Sequence, residues 1–173
     1  LNYANGPVKA GITYNAVTLK NQATNALTPL LGLGNDVKTN DLRIGGMYDF
    51  GVATVRAMYD RVKLESSLGD IKQNVWGLGA TFNVSSAGKI VGQYYKAQDV
   101  KGTVALGAGA DTGAALWAIG YEHSLSKRTI LKATYANLNN ATNANYDFGI
   151  NATGGAVNNS TVSGFQFGMR HSF

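Results

Sequence analysis

The side chains best placed to do chemistry in this chain are charged, and they recur at alternate positions. Lys9, Arg43, Asp49, Arg56, Asp60, Lys89, Glu122, Lys132 and Arg170 each lie on the polar side of an alternating segment, several of them beside Gly or Thr. Six are basic and three acidic, a balance of +3. A spaced array of this kind has no nucleophile and no paired acid and base. It can hold water and set a static field that sorts ions, and a basic excess favours anions. More demanding chemistry lacks its parts. There is no Cys, so no thiolate, disulfide or Cys-based zinc site. The two histidines, His123 and His171, fall among aromatics on the opposite face from the charges, which predicts anchoring at an interface. Glu122 therefore faces away from its neighbour His123, and no Ser-His-Asp constellation is visible. Gly107-Ala108-Gly109 lacks the strand-to-helix context of a phosphate loop. Asp36, Asp41, Asp99 and Asp111 fall in loop-like segments without calcium-ligand spacing. The expectation is no enzyme, no cofactor and no metal.

The elements that carry these charges read as strands. In the final segment Phe165, Phe167, Met169, His171 and Phe173 share one face, and Gln166, Gly168, Arg170 and Ser172 share the other. A helix would scatter the three Phe residues around its circumference. The same period-two pattern recurs in segments 8–15, 42–49, 55–60, 76–83, 89–98, 117–125 and 131–135, so eight strands and no helix are predicted. Composition agrees: Gly is 22 of 173 residues and Pro only 2, which suits strands joined by Gly- and Asn-rich turns. No apolar run of 18 residues exists, which excludes a transmembrane helix. The net charge is +5 and the pI about 9.4. The densest basic run is the dipeptide Lys127-Arg128, so no phosphate-tracking stripe and no nucleic-acid partner are expected.

Connections alternate in length. Segments 50–53, 84–88 and 125–128 read as tight turns, whereas 17–40, 62–71, 98–112 and 138–161 read as long polar loops. All tight turns then lie at one end of an up-and-down antiparallel sheet and all long loops at the other. Strands of about 9–12 residues match a tilted bilayer crossing better than the ~5–6 of soluble strands. Aromatics near strand ends (Tyr14, Tyr48, Tyr59, Phe82, Tyr121, Tyr135, Phe173) resemble interfacial girdles. The apolar face is therefore assigned to lipid and the charged face to a lumen. A soluble sandwich or adhesin module fits these lengths poorly. An open edge in lipid costs several kcal/mol per unpaired backbone group, so the predicted barrel must close.

Specific motifs add a resemblance. Gly168-Met169-Arg170-His171-Ser172-Phe173, after alternate Phe165 and Phe167, resembles the C-terminal strand of Gram-negative outer-membrane proteins. Leu125-Ser126-Lys127-Arg128-Thr129, followed by Ala133-Thr134-Tyr135-Ala136, resembles the last periplasmic turn and penultimate strand of general diffusion porins of the beta-proteobacterial branch. The run Tyr48 to Val55, leading into Met58-Tyr59-Asp60, resembles an earlier turn of that family, and Gly6-Pro7-Val8-Lys9-Ala10-Gly11 a strand start within it. The likeness spans the whole chain in the family's order.

The resemblance implies an all-β, transmembrane, antiparallel up-and-down β-barrel of sixteen strands, of which these eight would be the last half. It implies an outer-membrane, usually homotrimeric channel for passive diffusion of small hydrophilic solutes and ions. Residues 1–173 are expected to be the C-terminal part of one barrel domain, without the family's acidic constriction loop. The chain opens at Leu1, without a leader or initiator Met, in a stretch that already matches mid-porin sequence. The nine charged residues are the expected pore lining, with weak anion selectivity. Phe165, Phe167, Met169, His171 and Phe173 are the expected signal read by the outer-membrane assembly machinery. Outer-membrane lipid and lipopolysaccharide are the implied surroundings. A complete small eight-stranded outer-membrane barrel with a structural or lipid-related role is the alternative.

Overall fold

The structure, a computed structural model, describes residues 1–20, 36–149 and 152–173. Among these residues ten strands form one antiparallel sheet. They are β1 (Asn2–Asn5), β2 (Val8–Leu19), β3 (Val37–Asp49), β4 (Ala53–Ser66), β5 (Gly69–Asn83), β6 (Gly88–Ala97), β7 (Lys101–Gly102), β8 (Ala114–Ser124), β9 (Thr129–Asn140) and β10 (Thr161–His171). Strand order follows chain order, except that the two-residue β7 adds onto β5. The sheet is open: β1 pairs only with β2, and β10 only with β9.

The eight predicted strands are the eight long ones, each reaching past its predicted bounds at one end or both, while β6, β8 and β10 stop one or two residues short at their C-terminal ends. Two short strands, β1 and β7, add to them, and Val104–Leu106 forms a single 3-10 turn where no helix was expected. Segment 62–71 corrects the predicted loop pattern. It is a hairpin in which Ser66 faces Gly69 directly. Its outward residues are charged, so the alternation persists while its polarity reverses. The tight turns at 50–52, 84–87 and 125–128 share one end of the sheet, but the Ser67-Leu68 turn lies at the other end. The middle of the predicted 17–40 loop lies outside the described residues.

Cross-strand register fixes the two faces. Val8, Tyr48, Val55, Ala80, Gly92, Ile119, Tyr135 and Phe165 stand in one continuous row from β2 to β10. Side chains directly opposite share a face, so every predicted apolar face is the same face of one sheet. In seven of the eight long strands its last large apolar position toward the long-loop end is aromatic: Tyr14, Tyr59, Trp76, Tyr94, Trp117, Tyr135 and Phe165, with Leu42 on β3. This boundary is staggered against the register. Leu42 faces Arg61, Trp76 faces Lys96 and Trp117 faces Asn137, a step of two residues each time. Strands tilted to a membrane plane require such steps. Beyond the boundary the outward face turns polar (Asn40, Arg61, Asn74, Lys96, Asn137).

The inner face inverts too. Its half near the long loops carries Val37, Leu64, Ile71, Leu116, Leu138 and Val162. Here Ala114, Leu138 and Val162 form a small buried cluster, covered by Tyr146, Phe148 and Ala156 of the β9–β10 connection.

Candidate functional site

The charged face is the inner face, because the β9–β10 connection folds over it. The predicted lining residues share it by register. Lys9, Met47, Arg56, Gly79 and Gln93 form one row, Thr13, Arg43 and Asp60 another, and Lys89, Glu122 and Lys132 a third. Gly45, Gly77 and Gly79 leave room between the charges. A cavity of about 550 Å³ opens there, lined by Lys9, Met47, Arg56, Met58 and Tyr95. Gly77 is required by packing: a Cβ would run into the Tyr95 ring, which lies across it.

Two ionic groups organise the face. Arg43 donates to the Asp60 carboxylate from Nε at 3.1 Å and Nη2 at 2.6 Å. Asp60 is buried, and its other oxygen, Oδ1, has no hydrogen-bond partner. Asp41 lies 3.9 Å from the same guanidinium. Nearer the tight turns, Glu122 bridges Lys89 at 3.0 Å and Lys132 at 2.6 Å. Facing positions one strand apart bring these three together. Arg56 donates to the Thr81 hydroxyl at 3.0 Å. Lys9, Arg56 and Arg170 have no acidic partner within 4 Å among the described residues. Asp49 differs from the rest. Its carboxylate accepts from the Gly51 N–H at 2.8 Å and caps the β3–β4 turn, where Gly51 sits at a φ of 83° that favours glycine.

Sequence reading missed Asp41, assigned to a loop although it faces Asn15 and Val62 in the ladder. With it the inner face carries six bases and four acids, +2 instead of +3. Two of the other loop acids have structural roles. Asp36 pairs with Lys20 at 2.6 Å, and Asp99 accepts from the Thr112 and Gly113 N–H groups at 3.0 Å.

The β9–β10 connection was also missed as a part of this face. The Asn140 side chain clamps Tyr146, donating to its carbonyl at 2.9 Å and accepting from its N–H at 2.8 Å. The Gln73 amide on β5 donates to the Tyr146 hydroxyl at 2.6 Å. Asp147 accepts from the N–H groups of Phe148, Thr153 and Gly154 and from the Thr153 hydroxyl. These donors, the Thr153 N–H above all, hold its pKa below the usual 3.8. The available signal was two aromatics inside a loop otherwise rich in Asn, Thr and Gly.

The outer face carries the five predicted assembly residues. Phe165, Phe167 and Met169 are about 70% exposed on the edge strand β10, and Phe173 lies just beyond it with its ring edge-on to His171. His171 and His123 bond to Thr129 and Tyr121 at 2.9 and 3.2 Å.

Residues 1–144 match a Gram-negative porin family. The chain is 32% identical over 176 residues to outer membrane porin protein 32 of Delftia acidovorans, covering 99% of this chain and 44% of that protein. It thus spans less than half the length of that curated relative. Among solved structures it resembles the outer-membrane expressed OmpT of Vibrio cholerae, with a TM-score of 0.66 at 19% identity, over 98% of this chain and 53% of that one. That likeness concerns the fold.

Proposed function

This chain belongs to the Gram-negative porin family of the outer membrane, and from that premise we propose that it is the C-terminal part of one barrel that forms a water-filled channel. Small hydrophilic solutes and ions would diffuse through it passively, with no catalytic step. The observation that carries this reading is the two-faced sheet, with an aromatic-bounded apolar band on one side and spaced charges around a glycine-lined cavity on the other. Lipid contact suits the first surface and hydrated passage the second.

Within this reading Lys9, Arg43, Arg56, Lys89, Glu122, Lys132, Asp60 and Arg170 line the pore, joined by Asp41, and Asp49 stabilises a turn near its mouth. The pairs Arg43–Asp60 and Lys89–Glu122–Lys132 hold their charges locally. The field is then set by Lys9, Arg56 and Arg170, which favours weak anion selectivity. The connection carrying Tyr146 narrows the long-loop mouth. The rest of the barrel supplies partners for β1 and β10, and three barrels assemble as a trimer. The assembly machinery reads the alternating Phe165 to Phe173 edge. A complete small barrel would instead need β10 to pair with β1, whereas each ends the sheet.

The test is the reversal potential across a planar bilayer under a salt gradient, with the full-length protein. Arg56→Glu, alone and with Arg43→Glu, shifts it toward cations while the protein still migrates as a folded barrel. An unchanged potential in both variants refutes the assignment. The mass of the denatured polypeptide from its native source separates half a barrel from a complete one.

A further inference from the structure

The cavity on the inner face has a wall that hydrated passage alone does not call for. Two neighbouring rows meet there by register. One runs Lys9, Met47, Arg56, Gly79 and Gln93, and the other Gly11, Gly45, Met58, Gly77 and Tyr95. The glycines leave bare backbone as a floor, and Met47, Met58 and the Tyr95 ring stand around it in about 550 Å³. None of these three belongs to the apolar cluster of Ala114, Leu138 and Val162. Tyr95 is braced: a Cβ on Gly77 would strike its ring and come within 3.2 Å of the Met58 side chain. Its hydroxyl has no hydrogen-bond partner among the described residues. Packing does not explain Gly79. A Cβ there would meet the Gly92 carbonyl at 3.6 Å, an ordinary contact, so the floor could carry a side chain and carries none.

Charge at this wall is one-sided. Lys9 and Arg56 line the cavity with no ion pair among the described residues. The groups to either side, Arg43–Asp60 and Lys89–Glu122–Lys132, hold their charges locally. The Thr81 hydroxyl takes one Arg56 N–H at 3.0 Å and leaves the rest of the guanidinium fork free.

We propose that this wall binds aromatic carboxylates of a single ring. The carboxylate sits at the Arg56 guanidinium and the Lys9 ammonium, and the ring rests on the glycine floor against Met47, Met58 and Tyr95. A guanidinium matches a carboxylate as a fork. Thioethers adapt to apolar ligands and favour contact with aromatic rings. The volume suits a small ligand. An inorganic anion uses the two cations and not the floor; an uncharged aromatic uses the floor and not the cations. The proposal rests on the channel reading, in which this face meets water, and names a solute class within it.

Fluorine NMR of para-fluorophenylacetate with the folded full-length protein in detergent tests it. Line broadening saturates in the millimolar range. The amide, para-fluorophenylacetamide, binds at least about tenfold more weakly, as expected when charged donors are left without their partner. Equimolar acetate does not displace the aromatic acid. Gly79→Val fills the floor and weakens binding by about tenfold or more. Met58→Gln exchanges a thioether for an amide without adding bulk to the floor, weakens binding severalfold, and carries the test alone if Gly79→Val does not migrate as a folded barrel. Absence of saturation, equal binding of the amide, displacement by equimolar acetate, or undiminished binding by either folded variant each overturns the site. Absence of conductance in the wild-type protein would strike the channel reading instead, with binding in detergent still intact.

Discussion

The amide of Gln73 and the hydroxyl of Tyr146 meet at 2.6 Å although 73 residues separate them. One belongs to the inner face of β5, the other to the connection beyond β9, so a single bond ties that connection across β6 and β8. The Asn140 clamp presents the Tyr146 ring for it. Tyr146→Phe removes the bond and keeps the ring, at a cost of about 0.5–1.5 kcal/mol. Single-channel recordings of the full-length variant should show noisier open states and a higher mean conductance. A trace identical to wild type would mean that the connection does not narrow the mouth.

The Arg43–Asp60 pair predicts an asymmetric response. Arg43→Gln strips the cation from a carboxylate that is only 10% exposed, already with one unpartnered oxygen. Loss of a charged hydrogen bond costs about 1.5–3 kcal/mol, and the low end applies because more than half of the Arg43 side chain is exposed. Adding Asp60→Asn should recover part of this, since the carboxylate charge buried at position 60 is then gone. Urea unfolding of the full-length barrel in lipid vesicles reads both steps.

Acid should loosen the β9–β10 connection through Asp147. Its folded pKa is depressed by the Thr153, Phe148 and Gly154 donors. The stabilisation is therefore fully present above the ordinary carboxylate value of 3.8 and is lost as pH falls through the lowered value. Hydrogen exchange at the Phe148, Thr153 and Gly154 amides, corrected for intrinsic rates, should be flat from neutral pH to about the ordinary carboxylate value and then accelerate. Asp147→Ala should show the faster exchange at every pH.

Removing Phe173 separates assembly from transport. The residue lies beyond β10, fully exposed, with its ring edge-on to His171 of the outer face. The yield of folded, heat-modifiable barrel in the outer membrane should fall sharply. Those pores that do form should conduct like wild type. Normal yield would remove the terminal aromatic from the assembly signal.

Much of this architecture was legible because period two is a binary code. Once Phe165, Phe167 and Met169 shared a face, every strand fell into register with it. The code failed where polarity reverses. Asp41 and the β4–β5 hairpin tip alternate as regularly as the rest, yet beyond the aromatic boundary Arg61, Lys63 and Lys72 point outward while Leu64 and Ile71 point inward. A search for apolar outward faces reads that stretch as loop. Two-residue β7, Lys101-Gly102, has no apolar side chain of its own to mark it. It exists because Gly102 can lie against Asp70. The inward fold of the β9–β10 connection rests on Tyr146, Phe148 and Ala156 packed over Ala114, Leu138 and Val162 and on the Gln73 amide, contacts that no local pattern announces.

The staggered aromatic boundary acts as a load line. Sinking the sheet deeper into hydrocarbon would submerge Arg61 and Lys96, and each charge costs up to about 2–4 kcal/mol near the bilayer midplane and little at its surface. Raising it would strip lipid from Trp76, Tyr94 and Trp117. The vertical position is therefore written into the chain strand by strand. A thicker bilayer must thin around the protein to meet it, because the protein has no lower float to offer.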